Sequence, residues 1–337
     1  MILSTKKVVA GLLFAGLAME GCALVLGIEE VPVPTDASVS GDAGGDAPVE
    51  PRDSGLQDGS ADVTTDADAD ARPTVVKVGA SANTGCALLS DGSVWCFGDN
   101  GVGAAGVSPP GNVVAPTRVA GLPPASDLAS GLNFNCAIAK GDASVWCWGL
   151  NSHGQLGHDP SGDLLCSGGL RCNPSPQKVP GIPAIQVSGG LDVACTVTTT
   201  RVVYCWGSDA YAVLRGSSPA TIGDSFSPVA IAGLPNLPAQ RIVEVSVSRN
   251  GMATVCALDG TKQVWCWGSN FGGAAGHQPL TNGDVSCGSP CNAAPALVLG
   301  GAGAPLDGVV HVAAGRAVFA TRSDLSLIHI SEPTRPY

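Results

Sequence analysis

The chain has few basic residues and few histidines. Lys and Arg together number 17 against 28 Asp and Glu, and there are five His in 337 residues. The basic residues form no patch, which argues against nucleic-acid binding. The sequence also lacks the Gly-x-Ser-x-Gly, His-Glu-x-x-His, phosphate-loop and dinucleotide motifs. We therefore expect no enzymatic activity, no cofactor and no metal.

The apolar run near the N-terminus is too short to span a bilayer. Residues 8–19 follow Lys6 and Lys7, and this pattern is typical of a signal peptide. The step from Gly21 to Cys22 resembles a bacterial lipoprotein cleavage site, with an imperfect lipobox before it. We predict a signal peptide over 1–21 and lipidation of Cys22. The protein would then lie at the bacterial outer membrane or cell surface, held by the lipid anchor only. The alternative is an ordinary signal peptide and secretion.

An acidic segment follows over residues 22–73. Within 31–73, ten acidic residues against Arg52 and Arg72 account for −8 of the formal net charge of −11. A segment of Asp, Ala, Gly, Ser, Thr and Pro cannot bury enough apolar surface to fold. We predict a disordered linker that holds a folded domain away from a membrane.

A five-residue phrase built around a cysteine occurs four times. It reads Val-Trp-Cys-Phe-Gly at 94–98, Val-Trp-Cys-Trp-Gly at 145–149 and 264–268, and Val-Tyr-Cys-Trp-Gly at 203–207. The central cysteines are 51, 58 and 61 residues apart. A unit that recurs at this spacing and is rich in Val, Trp and Gly indicates propeller blades or a solenoid.

Each phrase has a second cysteine 10 or 11 residues upstream. In the first repeat, a two-residue Asp-Gly turn would place Cys86 and Cys96 on opposite faces of the hairpin. A three-residue loop, with Gly92 in the left-handed conformation, sets them directly opposite each other and within disulfide reach. A four-residue loop over 140–143 does the same in the second repeat. We predict four such disulfides: Cys86–Cys96, Cys136–Cys147, Cys195–Cys205 and Cys256–Cys266.

Two further cysteine pairs lie at corresponding places two repeats apart. They are Cys166 with Cys172 and Cys287 with Cys291, and we predict a loop disulfide for each. Twelve paired cysteines imply an oxidising compartment. The alternative is zinc, bound with a nearby histidine such as His158 or His277, but spacings of six and four residues suit zinc poorly.

Residues around the phrase extend the repeat. In the second copy, Ser130-Gly131 and Cys136-Ala137-Ile138 precede the phrase, and an Asn-x-x-Gly-x-x-Gly loop follows at 151–157. On these motifs, residues 75–324 resemble the regulator of chromosome condensation repeat. The resemblance implies an all-β fold, a β-propeller that usually has seven blades of four antiparallel strands. We expect four full blades and the start of a fifth, with repeats at 74–122, 123–182, 183–234, 239–301 and 307–324.

All six tryptophans lie in the repeated phrases, and we expect them to pack between blades. Long inter-strand loops are the natural contact surfaces of a propeller. We therefore expect a non-enzymatic cell-envelope scaffold that presents loops to a protein or glycan partner. One alternative is the guanine-nucleotide exchange that the resemblance implies, which a signal peptide argues against. A polysaccharide-active surface enzyme is the other, and Tyr211, Phe271 and Asp209 are too few residues to support it.

The last residues, 325–337, resemble an in-frame translation of a sequencing adaptor. They interrupt the fifth repeat before its turn. We therefore predict that the chain is a fragment, and that apolar faces at the ends of its row of blades promote aggregation.

Overall fold

The computed structural model describes residues 72–214, 223–249, 251–279, 281, 284–287, 289–300, 303–315 and 317–330. The chain divides into two units, and all described residues belong to the second, Asp66–Tyr337. The predicted signal peptide, Cys22 and nearly all of the predicted linker lie outside the described residues. Within the described ranges, no helix is long and apolar enough to cross a membrane.

Five antiparallel sheets follow one another along the second unit, and we call them blades 1 to 5. Blade 1 comprises β1 (Val75–Ala80), β2 (Thr84–Leu89), β3 (Val94–Gly98) and β4 (Val113–Arg118). Blade 2 comprises β5 (Ala125–Ser130), β6 (Phe134–Ala139), β7 (Val145–Leu150), β8 (Leu164–Leu165) and β9 (Arg171–Lys178). Blade 3 comprises β10 (Ala184–Gly189), β11 (Val193–Thr198), β12 (Val203–Gly207) and β13 (Ser225–Ala230).

The last two blades repeat this plan. Blade 4 comprises β14 (Ile242–Val247), β15 (Thr254–Asp259), β16 (Val264–Ser269), β17 (Val285–Ser286) and β18 (Pro290–Leu297). Blade 5 comprises β19 (Val309–Ala314), β20 (Val318–Arg322) and β21 (Leu327–His329). In blades 2 and 4 a short fifth strand is added at the outer edge of the sheet, where β8 pairs with β9 and β17 pairs with β18.

The antiparallel order gives each blade two distinct ends. The loops between its first and second strands and the long loops after its third strand lie at one end, which we call the loop face. The tight turns between second and third strands and the connections between blades lie at the other end, which we call the turn face.

The central hairpin of each blade has the predicted register. Cys86 pairs opposite Cys96 in blade 1, and Cys136 opposite Cys147 in blade 2. Gly92 adopts the expected left-handed conformation, with φ of 86°. In blade 3, which has no glycine in this turn, Arg201 takes the positive φ instead, at 68°. The structure joins all four opposed pairs as disulfides with Cα–Cα separations of 4.1 Å.

Three of the six tryptophans pack between blades, as expected, whereas Trp95, Trp146 and Trp265 are only partly buried and donate hydrogen bonds within their own hairpins. The second aromatic residue of the phrase is fully buried in blades 2, 3 and 4, at Trp148, Trp206 and Trp267. Each of these indoles donates a hydrogen bond from Nε1 to a backbone carbonyl in the loop of the preceding blade. The acceptors are Ala104 at 3.1 Å, Gln155 at 3.0 Å and Val213 at 2.8 Å, respectively. One indole therefore both fills the apolar space between two blades and fixes the neighbouring loop.

Blade 1 has one exposed apolar face. Phe97 occupies the position of the buried tryptophans, yet 46% of its surface is exposed, and Val78 on β1 is 72% exposed. At the other end of the row, β21 pairs with β20, and the His329 ring stacks on Phe319 with centroids 4.9 Å apart. Blade 5 thus has a third strand within the residues predicted to derive from an adaptor.

Candidate binding face

The long loops of the loop face begin in a common way. In blades 1, 2 and 4 a buried asparagine follows the phrase, at Asn100, Asn151 and Asn270. Its side-chain oxygen accepts a hydrogen bond from the backbone N–H five residues later, at 2.9, 3.0 and 2.9 Å. Blade 3 has Asp209 at this position, which accepts the equivalent bond from Leu214 N at 3.0 Å. Each loop therefore starts from a fixed turn.

The glycine that ends the phrase brings two loops of the same blade together. In blade 3, Gly207 has φ of 105°, and a Cβ there would lie 2.2 Å from the carbonyl oxygen of Asp192. Ser208 N donates to that same oxygen at 2.8 Å. A side chain at position 207 would separate the two loops, so the glycine is needed for this close approach.

The longest described loop is that of blade 2, and Asp163 is its centre. Its carboxylate accepts hydrogen bonds from Asn151 Nδ2 at 2.5 Å and Asn173 Nδ2 at 3.1 Å, and it pairs with His158 Nε2 at 3.0 Å. Arg171 donates to its backbone carbonyl at 2.8 Å. Four residues are thus tied to Asp163, which gives the loop a fixed shape.

These contacts set the protonation of the pair. Burial acts to raise the pKa of Asp163, but the hydrogen bonds from His158 and Asn151 outweigh burial and leave this pKa below its usual value. The hydrogen bond to Asp163 raises the pKa of His158. The charged forms of both groups therefore support the loop.

Blade 4 repeats the arrangement. Asn270 Nδ2 donates to Asp284 at 2.6 Å, and His277 Nε2 lies 2.8 Å from the same carboxylate. Both histidines named in the zinc alternative are thus bound to a carboxylate within their own loop. Among the residues that the structure describes, no group of three or more His, Cys, Asp or Glu is placed to hold a metal ion.

The two loop cysteine pairs differ. Cys166 and Cys172 are joined, with Cα atoms 6.0 Å apart. Cys287 and Cys291 are thiols in the structure, which differs from the predicted disulfide. The hairpin at Cys287 is two residues shorter, and Cys291 Sγ contacts the carbonyl oxygen of Ser289 at 3.5 Å. Burial raises the pKa of the Cys291 thiol to about 12.

The blade 2 loop that carries the Cys166–Cys172 disulfide has apolar side chains exposed to solvent. Leu164, Leu165 and Leu170 are 51%, 68% and 42% exposed. Ser167 N donates to the carbonyl oxygen of Gly101 at 3.0 Å, which attaches the loop to blade 1. We call these three leucines the leucine patch.

The sequence signals for this face were incomplete. The recurrence of Asn100, Asn151 and Asn270 after the phrase could have indicated the loop anchors. The role of Asp163 could not have been found in that way, because its partners come from residues 151 to 173 and converge only in the folded loop.

The fold and its repeated interior define a β-propeller built from a disulfide-bearing, tryptophan-packed repeat. Comparison with known families agrees with this class. Residues 75–104 and 125–155 match one family described as regulator of chromosome condensation (RCC1) repeat, and residues 142–197 match a second family of the same description. The matched residues are RCC1 repeats, and together with the five blades they support an RCC1-repeat propeller family.

Curated relatives match only in part. RCC1 domain-containing protein RUG3, mitochondrial, of Arabidopsis thaliana is 27% identical over 204 residues, which cover 57% of this chain and 42% of the relative. Probable E3 ubiquitin-protein ligase HERC6 of Homo sapiens is 29% identical over 155 residues, or 45% of this chain and 14% of the relative. The chain spans less than half the length of these two relatives.

Solved structures share the fold. Prp20p from Saccharomyces cerevisiae superposes with a TM-score of 0.62 at 17% identity, over 76% of this chain and 58% of Prp20p. Human WBSCR16 superposes with a TM-score of 0.57 at 20% identity, over 72% of this chain and 56% of WBSCR16. At these identities the likeness shows the fold alone.

Proposed function

We propose that this chain is a non-enzymatic scaffold that captures a protein partner through its loop face, at the envelope of a bacterial cell. The observation that carries the proposal is the leucine patch. Of the three exposed leucines, Leu170 lies within the loop closed by the Cys166–Cys172 disulfide, and Leu164 and Leu165 lie on β8, directly between that disulfide and Asp163. Exposed apolar side chains on a loop with a fixed shape are a feature of binding surfaces.

Pre-ordering is the physical advantage of this loop. A flexible loop loses conformational entropy when a partner immobilises it, and this loss weakens binding. The hydrogen bonds to Asp163 and the disulfide restrict the loop before a partner arrives. Burial of the leucine patch should therefore contribute more to the free energy of association, because less of that free energy offsets the entropy lost in ordering the loop.

A protein partner fits this surface better than a glycan does. Leucine side chains offer no hydrogen bonds to sugar hydroxyls, whereas aliphatic contacts are common at the centres of protein interfaces. Prp20p, which shares the fold, has binding properties toward Gsp1p and histones, so a propeller of this kind can present its surface to proteins. The envelope location rests on the predicted signal peptide and lipidation of Cys22.

The experiment is a capture with the whole chain immobilised and an envelope extract of the source bacterium as the sample. The test variant is Leu164→Ser with Leu165→Ser, and the control is Val202→Ser, an exposed apolar residue (40%) on the turn face. We expect a protein recovered by the wild type and the control to be lost by the double variant, and to bind directly once purified. Equal recovery by all three would contradict the proposal. A captured ligand that resists protease and is destroyed by periodate would be a glycan, and the protein assignment would be wrong.

A further inference from the structure

A small cavity opens on the loop face above blade 3. Its volume is about 190 Å³, and three blades contribute to its wall. Asp192, Ser208 and Tyr211 come from blade 3, His153 comes from blade 2, and Ala253 comes from blade 4. Small-molecule sites usually measure about 300–1,000 Å³, so this cavity suits a single side chain better than a whole metabolite.

One wall of the cavity carries a carboxylate, that of Asp192. It accepts a hydrogen bond from the neutral amide of Gln155 at 3.1 Å. Burial raises the pKa of Asp192, and nearby Asp224 adds to this effect while His153 opposes it. His153 itself is hydrogen-bonded to Asp224 at 2.8 Å. The described residues that line the cavity include no lysine or arginine.

The backbone contact that the four full blades share at this position does not require a carboxylate. In all four full blades, the backbone carbonyl at this position accepts a hydrogen bond from the N–H of the residue that follows the last glycine of the phrase. The equivalent residues in blades 1, 2 and 4 are Asn83, Asn133 and Ala253. Among the four full blades, a charged side chain occurs at this position in blade 3, where the cavity is; it accepts the hydrogen bond from the buried Gln155 amide and also gives the cavity a negative charge, which the shared backbone contact does not need.

Apart from Asp192, His153 and Ser208, the lining is made of apolar residues and one tyrosine. Leu191, Val193 and Ala253 line the cavity, together with Tyr211. The Tyr211 hydroxyl donates to the carbonyl oxygen of Gly251 at 2.8 Å, which restrains its ring. An apolar wall with a carboxylate on one side matches a side chain that has an alkyl stem and a cationic head. An aromatic ring nearby adds attraction for the cation.

We propose that this cavity receives a lysine or arginine side chain presented by the protein partner, with the cationic head at Asp192 and the stem against Leu191 and Tyr211. The inference rests on the proposed function for the identity of the partner. The cavity's chemistry can nevertheless be tested without any partner, so the two ideas can fail separately.

The test uses the ¹⁵N-labelled whole chain and small probes in NMR titrations. The probes are Nα-acetyl-lysine amide and Nα-acetyl-arginine amide, with Nα-acetyl-norleucine amide as the uncharged control and putrescine as a free amine. The variant is Asp192→Asn, which keeps the shape and the acceptor for Gln155. Asp307→Asn makes the same change of charge at a side chain that is 79% exposed on blade 5.

We expect saturable shifts at Asp192, Ser208 and Tyr211 with at least one of the two cationic amides. The affinity should fall roughly tenfold or more in Asp192→Asn, because a hydrogen bond between charged groups is lost, and should be unchanged in Asp307→Asn. Absence of shifts at these residues, equal shifts with the norleucine amide, or unchanged affinity in Asp192→Asn would overturn the proposal. Tighter binding of putrescine than of both amides would overturn the assignment to a side chain. If the probes bind as expected and the partner capture fails, the proposed function fails and the cavity assignment stands.

Discussion

The indole Nε1 of Trp206 donates a hydrogen bond of 3.0 Å to the carbonyl oxygen of Gln155, although the two residues belong to neighbouring blades. The indole is fully buried. The same bond recurs from Trp148 and Trp267. A residue that lies in the interior of one blade therefore positions the loop of another.

Trp206→Phe should destabilise the protein more than Trp146→Phe does. The first change leaves the Gln155 carbonyl unpaired and opens a cavity, and we expect a loss of about 2–4 kcal/mol in the free energy of unfolding. Trp146 is only partly buried and donates to Ser144 Oγ at 2.9 Å. Trp146→Phe should therefore lower the free energy of unfolding by about 1 kcal/mol. Urea unfolding followed by circular dichroism measures both values. Equal losses would show that the bond between blades adds little.

Removing a blade disulfide should have a different effect from removing the loop disulfide. Replacing Cys195 and Cys205 together by Ala should lower the unfolding free energy by about 2–4 kcal/mol, because the crosslink no longer restricts the unfolded chain. Replacing Cys166 and Cys172 together by Ala should leave the melting temperature nearly unchanged and increase protease cleavage near the leucine patch. Thermal unfolding and limited proteolysis separate the two results. A large fall in melting temperature for the second pair would contradict a purely local role.

The His158–Asp163 pair predicts a pH window for the blade 2 loop. The raised pKa of His158 means that its contribution is complete below its ordinary pKa of 6.5 and is lost as pH rises through the higher folded value. The lowered pKa of Asp163 means that its contribution is complete above its ordinary 3.8 and is lost as pH falls through the lower folded value. The loop should be most stable between about pH 4 and 6.5.

An NMR titration of the His158 ring measures this coupling directly. We expect Asp163→Asn to lower the pKa of His158, because the hydrogen bond to a charged carboxylate is lost. Asp307→Asn, far from the loop, is the matched control. An unchanged titration of His158 in Asp163→Asn would mean that the carboxylate does not hold the imidazolium form.

The hairpin register and the burial of the tryptophans could be predicted because both follow from local patterns. Opposing Cys86 to Cys96 needs only the length of one turn, and burial of Trp206 follows from alternation along one strand. The bond from Trp206 to Gln155, the loop centre at Asp163 and the cavity at Asp192 were not predicted. The bond from Trp206 and the cavity depend on how one blade lies against its neighbour, and the Asp163 centre depends on how the loop over residues 151–173 folds back on itself. Periodicity carries no information about such placements.

Phe97 gives a prediction about self-association. It is 46% exposed where its counterparts are buried, so Phe97→Ser should change the unfolding free energy by no more than about 0.5 kcal/mol. The same change should reduce concentration-dependent association, because it removes part of an exposed apolar sheet face. Light scattering over a concentration series measures this effect. Phe134→Ser is the contrasting variant, since Phe134 is fully buried, and it should destabilise by about 3 kcal/mol or more.

Lipidation of Cys22 stays a prediction from the sequence, and it can be tested in a bacterial host. We expect Cys22→Ser to move the protein from the membrane fraction to the soluble fraction, because the lipid anchor is absent. Cys291→Ser changes the same residue type elsewhere and should leave the distribution unchanged. Retention of Cys22→Ser with membranes would place the anchor elsewhere in the chain.

The bond from Trp206 to Gln155 also determines how this protein can be re-engineered. A loop and the tryptophan that supports it lie about 50 residues apart, so the transferable unit runs from the third strand of one blade to the third strand of the next. A graft that replaces one whole blade would separate two loops from the tryptophans that support them. The loop of the preceding blade would lose its native tryptophan, and the loop of the grafted blade would meet a foreign one. Cutting instead directly after the phrase, so that a unit runs from the start of one loop to the end of the next phrase, would keep each loop with the indole that positions it.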